Sequence, residues 1–274
     1  MASPPIQPFS KPFAILTPRL VIIPTPIAVH IATYRALYGA LHADAGFCRM
    51  GFGERFPVSS WNDEDTRDMI ETRDLKRCWQ RRGLGDFAVG LRPQPVGGSG
   101  NDSKDDAYVG VSTLRGEDFE QLVGPDMTRM EEIRWVGYTG VRDATTTSIP
   151  PSEEGDAPLP HWLEMIELRY GVSPEFWGKG IAEEASRAVM HWAVCEKGAK
   201  RFIADTERDN RRSGRVLEKL GFRQSGTNYW KEPEFVVEWE FLSREGMREC
   251  FGANGLKGRS SCWGWGCGRD HEMG

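Results

Sequence analysis

The sequence predicts an α/β (α+β) domain, and three observations support this. Strand-like apolar segments alternate with segments of helical periodicity, most clearly between residues 165 and 222. The 274 residues are 39% hydrophobic and 11% aromatic, a composition typical of a folded globule. Glycines stand at the junction between one such strand and the helix that follows it, at Gly178 and Gly180. This junction is therefore the first place to look for a functional site.

The first strand-to-helix unit extends from Met165 to Gly198. Alternating apolar residues precede Ser173-Pro174, where the strand ends because proline has no N–H to donate to a ladder. Beyond the glycines, apolar residues recur at the spacing of a helix that buries one face: Ile181, Ala185, Val189 and Trp192. The first turn of a helix has unpaired N–H groups, and glycine lets an anion approach the backbone. The segment therefore suits a bound pyrophosphate, although a tight turn without a ligand is an equally open interpretation.

The second unit extends from Lys200 to Gly221. Residues 200–206 have a strand pattern, and Asn210 is placed to cap the helix that follows. Gly221 is a natural C-terminal cap for this helix. The helix has an apolar face: Val216, Leu217 and Leu220. The unit is also rich in cations: Lys200, Arg201, Arg208, Arg211, Arg212, Arg215, Lys219 and Arg223.

Two motifs connect these units with a known family. They are the turn Trp177-Gly178-Lys179-Gly180 and the pattern Asn210-x-x-Ser213-x-x-x-Leu217-x-x-Leu220-Gly221-Phe222. Together they resemble the acyl-CoA-binding core of the GCN5-related N-acetyltransferase (GNAT) superfamily, most of all its ribosomal-protein-alanine N-acetyltransferase (RimJ/RimL-like) branch. The resemblance covers roughly residues 13–243, with its specificity concentrated in residues 167–222. It implies a mixed, mostly antiparallel sheet flanked by helices, with a splayed central pair of strands.

Further segments are similar to elements of that branch. Residues 17–23 resemble its opening strand, residues 87–92 its second and residues 235–241 its last. The third strand remains open, because residues 108–114 and residues 133–142 both fit it. Helical spacing predicts helices over residues 28–41 and 64–79, and the resemblance places them on the substrate side, joined by a loop over residues 47–61.

The chain is predicted to contain one domain with appendages. Residues 1–12 are expected to be a flexible N-terminus and residues 13–243 the acetyltransferase domain. Loop insertions are expected near residues 93–106 and 143–160, which are rich in turn-forming residues. The glycine-rich tail, residues 244–274, has no periodic apolar pattern and is predicted to be disordered, unless Trp263 and Trp265 dock on the domain or on a partner.

Charge and cysteine usage restrict the class of protein. The formal net charge of −5 gives no reason to expect nucleic-acid binding. Neither a secretory signal nor a membrane-spanning stretch is recognisable, so we expect a cytoplasmic protein with free thiols. The spacing of Cys262, Cys267 and His271 fits no common zinc pattern, so no metal is expected. Either a monomer or a homodimer agrees with the sequence.

The resemblance implies that acetyl-CoA is the co-substrate. The acceptor would be a primary amine, either a protein N-terminal α-amine or a small-molecule amine. The basic helix would contact phosphates of coenzyme A, or would be a solvated face, with both interpretations open. The implied cofactor-binding residues are Gly171, Val172, Trp177, Gly178, Lys179, Gly180, Ile181, Ala182, Asn210 and Ser213.

The resemblance also suggests catalytic groups. Glu167 is the implied base, provided that partial burial raises its pKa from about 4.3; a solvent-facing surface glutamate is the open alternative. A backbone N–H near Gly171 and Val172 would polarise the thioester carbonyl. Asn210 would cap its helix and reach the pantetheine or a bound water. The general acid is unassigned, with Tyr229 or solvent as candidates.

The acceptor site is expected between the two substrate-side helices. Its candidate residues are Phe52, Arg55, Phe56, Trp61 and Tyr170. A different class of function remains open, namely a non-catalytic acyl-CoA-binding or protein-interaction module on the same fold. It is favoured because many relatives have a tyrosine just after the position of Leu217, where this chain has Glu218.

Overall fold

A computed structural model describes residues 11–53, 56–93 and 110–243 of the chain. Within these ranges the strands form one sheet, with the spatial order β4-β1-β2-β3-β5-β6-β7-β9-β8. The strands are β1 (Phe13–Leu16), β2 (Leu20–Pro24), β3 (Asp86–Leu91), β4 (Ser112–Arg115), β5 (Trp135–Asp143), β6 (Ile166–Val172), β7 (Arg201–Glu207), β8 (Arg223–Gln224) and β9 (Val236–Leu242). Of the strand pairs in the described residues, β6 with β7 is parallel and the others are antiparallel.

Helices cover both faces of this sheet. The α-helices are α1 (Thr25–Ala28), α2 (Ala32–Ala43), α3 (Ala45–Phe52), α4 (Asp63–Ile70), α5 (Gln80–Arg82), α6 (Gly116–Val123), α7 (Thr128–Glu131), α8 (Ala144–Thr147), α9 (Ile181–Lys197) and α10 (Arg211–Leu220). A π-helical segment, Glu71–Trp79, joins α4 to α5, and short 3-10 turns occur at Pro125–Met127, Trp162–Glu164 and Pro174–Phe176.

The core is divided by the sheet into two layers. Side chains alternate between the faces of a strand, so Leu168 and Phe202 pack with α9 on one face. On the other face, Ile23 and Ala88 pack with Tyr34 of α2. Because both faces are covered, the central strands are apolar over most of their length, as the burial of β2 and β3 shows.

The central pair of strands separates along its length. β6 and β7 are paired at two positions, Ile166 with Phe202 and Glu167 with Ile203. By contrast, β6 is paired with β5 at seven positions, and β7 with β9 at seven. Beyond Glu167 and Ile203 the two strands therefore diverge, and a V-shaped gap opens toward their carboxyl ends. The predicted mixed sheet with a splayed central pair is confirmed.

The structure settles the open question of the third strand. β5 lies between β3 and β6, so residues 133–142 supply the third strand of the central sheet. β4 instead pairs with β1 at the edge of the sheet, over Phe13 to Leu16. The predicted 108–114 strand is thus an added edge strand, formed by Ser112–Arg115 in the part of the chain that is described.

Several predicted boundaries were wrong, each for a local reason. The opening strand is a hairpin, because the N–H of Thr17 bonds to the carbonyl of Leu20 and closes a turn at Pro18. The helix expected over residues 28–41 is α1 and α2 with a break between them. The expected 47–61 loop contains most of α3, and the side chain of its N-cap, Asp44, accepts a hydrogen bond from the N–H of Phe47. The insertion near residues 143–160 includes α8, whereas residues 94–106 lie outside the described ranges.

Candidate active site

The V-shaped gap leads into a cleft of about 730 Å³, bounded by α3, β6, α9 and α10. It brings together most of the residues that the sequence predicted for cofactor binding. Those lining it are Gly171, Val172, Trp177, Gly178, Gly180, Ile181, Ala182 and Ser213, with Tyr170 beside them. Lys179 and Asn210 are not among the lining residues.

The glycine turn has the backbone that its sequence suggested. Gly178 has φ of 77° and Gly180 has φ of 75°, left-handed conformations that favour glycine. Gly180 is the N-cap of α9, and no side chain of the described residues caps this end of the helix. The first-turn N–H groups and the positive end of the helix dipole therefore stay available to an anion in the cleft.

The turn is held in place by the β1–β2 hairpin. Arg19 donates from Nη1 to the carbonyl of Lys179 at 2.9 Å, and its Nε donates to Glu184 in the first turn of α9 at 2.6 Å. Thr17 donates its hydroxyl proton to the same carboxylate at 2.5 Å. At the other side of the turn, the indole N–H of Trp177 bonds to the carbonyl of Val172 at 2.7 Å. These bonds fix the backbone that would face a ligand.

Cations surround the cleft on the α10 side. Arg212, Arg215 and Lys219 line it, and the Arg212 guanidinium lies 5.0 Å from the centre of the Trp177 ring. Arg211 and Arg223 are exposed and are not among the lining residues. The basic segment thus has two parts, one facing the cleft and one facing solvent, and the first creates a positive potential beside the helix N-terminus.

A backbone donor faces the gap between the strands. The N–H of Ser173 bonds to the carbonyl of Val136 on β5 at 2.8 Å. Successive residues of a strand direct their N–H groups to opposite edges, so the N–H of Val172 is directed to the β7 edge. The strands are no longer paired there, which leaves this donor in the cleft.

Asn210 caps the N-terminus of α10 and connects this helix to α3. Its side-chain oxygen accepts from the N–H of Ser213 at 3.0 Å, which confirms the predicted N-cap. Its amide nitrogen donates to the carbonyl of Met50 at 2.6 Å and to the Ser213 hydroxyl at 3.2 Å. Because both the oxygen and the nitrogen of the side-chain amide are bound by protein partners, Asn210 positions α3 against α10.

The surroundings of Glu167 differ from those that the sequence predicted. Its carboxylate accepts two bonds from Arg142, at 2.6 Å and 3.0 Å, and a further bond from the Ser148 hydroxyl. Burial raises the pKa of Glu167, but Arg142, Arg169 and the Ser148 hydroxyl outweigh burial and lower the pKa below its usual value. The expectation of a raised pKa was therefore wrong, and Glu167 is also not among the residues lining the cleft.

The predicted acceptor residues form an aromatic cluster beside the cleft. The rings of Phe52 and Phe56 are 4.4 Å apart, and Trp61 lies 4.9 Å from the buried ring of His42. None of the three lines the cleft itself, and Arg55 lies outside the described residues. Tyr170 does line it, and its hydroxyl donates to the carbonyl of Ser213 at 3.1 Å.

The sequence did not indicate the contribution of α3 to the cleft. Phe47, Met50 and Gly51 line it, opposite the glycine turn. The one local signal was Asp44 as a helix N-cap before Phe47. Tyr229, a candidate general acid, lies elsewhere: its hydroxyl accepts from Arg201 at 2.9 Å, and it is not among the residues lining the cleft.

The region around this cleft is similar in sequence to a known protein family. Residues 129–223 match the sequence model of the acetyltransferase (GNAT) domain. Over this segment the chain is similar to GNAT acetyltransferase domains. The matched segment extends from α7 to β8 and contains β5, β6, the glycine turn, α9, β7 and α10.

Relatives of the GNAT domain are distant. The chain is 33% identical over 75 residues to the YkkB protein of Bacillus subtilis (strain 168), covering 27% of this chain and 44% of that protein. It is 28% identical over 97 residues to the FsC-acetyl coenzyme A-N(2)-transacetylase of Aspergillus fumigatus, covering 35% of this chain and 41% of that enzyme. In both cases the chain spans less than half the length of the relative.

Solved structures resemble the GNAT domain only loosely. The acetyltransferase from Agrobacterium tumefaciens str. C58 is 18% identical, with a TM-score of 0.48 over 83% of this chain and 93% of that one. The ribosomal-protein-S5-alanine acetyltransferase from Vibrio fischeri is 14% identical, with a TM-score of 0.48 over 85% and 97%.

Two features are absent from the described residues, a cluster of metal-binding side chains and a membrane-spanning helix. No group of three or more His, Cys, Asp or Glu side chains in residues 11–53, 56–93 and 110–243 is arranged to hold a metal ion. Within the same ranges no helix has the length and apolar character to cross a membrane. The cysteines and histidine of the tail, Cys262, Cys267 and His271, lie outside these ranges, as does the whole 244–274 segment.

Proposed function

We propose that the protein is an acyl-CoA-dependent N-acetyltransferase that moves an acetyl group from acetyl-CoA to a primary amine. The acceptor is a protein N-terminal α-amine, as in the ribosomal-protein-alanine branch, or a small-molecule amine. One observation carries the proposal. The cleft in the GNAT domain joins an uncapped helix N-terminus, at Gly180, to a gap between diverging strands.

The cofactor is proposed to occupy the whole of this cleft. The pyrophosphate would lie on the first turn of α9, where N–H groups and the helix dipole favour an anion. Arg212, Arg215 and Lys219 would supply countercharge from α10. The pantetheine arm, uncharged and extended, would then follow β6 past Val172 and Ser213 into the gap.

The reaction would take place where β6 and β7 begin to separate. In the gap, the N–H of Val172 is available as a hydrogen-bond donor to the thioester carbonyl as negative charge builds on its oxygen. The acceptor would reach the thioester from the sheet face that carries α2 and α3, past Phe47. The amine nitrogen bonds to the acetyl carbon, the C–S bond breaks, and coenzyme A leaves as the thiol.

The test is release of free thiol from acetyl-CoA in the presence of amines. The panel should contain peptides with different N-terminal residues and several small amines, and the acetylated product should be identified by mass spectrometry. We expect thiol release that depends on one class of amine. Acetyl-CoA binding without turnover on any amine would instead favour a non-catalytic acyl-CoA-binding module.

A further inference from the structure

A second carboxylate lies on the acceptor side of the gap. Side chains alternate along β7, so Ala204 packs with the α9 layer while Asp205 lies on the opposite face. Glu167 lies on that same face of β6, opposite Ile203. Since Ile203 is the last β7 residue paired with β6, Asp205 is the next residue on this face once the strands have separated.

Asp205 differs in its bonding from three other carboxylates of this sheet face. Glu167 is bound by Arg142, Glu240 by Arg201 and Asp86 by Arg169. Asp205 forms no ion pair with any residue in the described ranges, and its side chain is exposed. Its carboxylate is therefore open to solvent on the acceptor side, although Asp205, like Glu167, is not among the residues lining the cleft.

The groups around Asp205 adjust its proton affinity. Desolvation by the surrounding protein raises the pKa of Asp205, although part of the side chain reaches solvent. The negative charges of Glu167 on β6 and Glu238 on β9 raise the pKa further, and Arg142 on β5 lowers it. The resulting pKa is about 7, close to the value at which a general base is most effective at neutral pH.

We propose that Asp205, rather than Glu167, is the catalytic base that takes the proton from the acceptor amine. This inference rests on the proposed function. An unperturbed primary amine is mostly protonated at neutral pH, so the acceptor enters as an ammonium ion. The ammonium transfers one proton to the Asp205 carboxylate and becomes a neutral nucleophile.

The remaining steps need no further base. The amine lone pair forms the C–N bond to the acetyl carbon, and the carbonyl oxygen becomes negative within reach of the Val172 N–H. When the oxygen re-forms the C=O bond, the C–S bond breaks with its electron pair on sulfur. The nitrogen then gives its second proton to the thiolate, which leaves as coenzyme A thiol. Asp205 returns its proton to solvent.

The test compares Asp205→Asn with the parent across a range of pH. We expect Asp205→Asn to lower kcat by about a hundred- to ten-thousandfold at neutral pH, with acetyl-CoA binding intact. The parent kcat should fall on the acid side with a midpoint near pH 7, and this limb should be lost in the variant. Asp205→Glu, which retains a carboxylate, should restore part of the activity and the limb.

The matched control is Glu207→Gln, which removes the next carboxylate on the same strand and face. It should keep the parent rate and pH profile. If Asp205→Asn does not fold, as judged by thermal unfolding with acetyl-CoA, Asp205→Ser takes its place. Parent-like kcat and pH profile in the Asp205 variants would overturn the assignment and leave the proposed function standing. A parent that acetylates no amine would overturn both.

Discussion

Among single residues, Glu167 has the environment most unlike its sequence expectation. Its carboxylate is buried and bound by Arg142 through two bonds, so replacing it with glutamine leaves the partly buried guanidinium of Arg142 without its anion. Removing one partner of a buried pair destabilises a protein by roughly 3–5 kcal/mol. We expect Glu167→Gln to lower the free energy of unfolding by about that amount at pH 7, measured by denaturant unfolding.

The pH dependence of this effect has a definite sign. The pKa of Glu167 is lowered in the folded protein, so its contribution to stability is present above the unfolded pKa and is lost as pH falls through the folded value. The difference in unfolding free energy between the parent and Glu167→Gln should therefore become smaller below about pH 4. Glu240→Gln is the control, because the Arg201–Glu240 pair is longer and more exposed, and its loss should change stability little. Equal losses for both variants would contradict this account.

Among the elements, the glycine turn before α9 offers the most direct test of the cofactor site. Glycine at position 180 has a left-handed φ, so any substitution strains the backbone there. Gly180→Glu adds that strain and also places a negative charge where the pyrophosphate is proposed to bind. We expect it to abolish stabilisation by acetyl-CoA in thermal unfolding experiments.

Gly180→Ala is the control that separates strain from charge. Its added Cβ would lie 3.3 Å from Nη2 of Arg19, so the end of that side chain must shift by a few tenths of an ångström. Both variants should lose similar stability without ligand, and Gly180→Ala should retain most of the response to acetyl-CoA. A folded Gly180→Glu protein with the full response would remove the turn from the cofactor site.

The elements also show how far the sequence could predict this molecule. The caps of α9 and α10, at Gly180, Gly198, Asn210 and Gly221, were predictable because they depend on residues within one helical turn. The strands on either side of the gap were predictable from their own apolar alternation. These local signals, with the two motifs, were enough to assemble most of the cleft lining.

The features of the site that could not be predicted from the sequence depend on contacts between distant segments. The pKa of Glu167 is lowered by Arg142 and Ser148. These partners lie 25 and 19 residues from it along the chain, on other elements. Asp205 has an ordinary strand pattern, and its exposure follows from where β6 and β7 stop pairing. The place of α3 at the cleft depends on the Asn210 bond to Met50, 160 residues earlier. Such pairings require the folded topology.

For the molecule as a whole, the proposed function predicts that acetyl-CoA stabilises the native state. A ligand that binds only the folded protein adds about 2.7 kcal/mol at a hundredfold excess over its dissociation constant. Because Arg212, Arg215 and Lys219 line the cleft, part of this affinity is electrostatic, and the shift should shrink as salt is raised. Differential scanning fluorimetry with acetyl-CoA, and with acetate as the control, measures both effects. No shift at saturating acetyl-CoA would contradict the proposal.

The hairpin contact with α9 has a consequence for engineering. Arg19 and Glu184 are 165 positions apart, and Arg19 lies outside the segment, residues 129–223, that matches the GNAT domain. A recombinant fragment restricted to that segment would contain every residue of the glycine turn and lack the two side chains, Thr17 and Arg19, that anchor it. Grafting the turn into another scaffold therefore also requires grafting its N-terminal support.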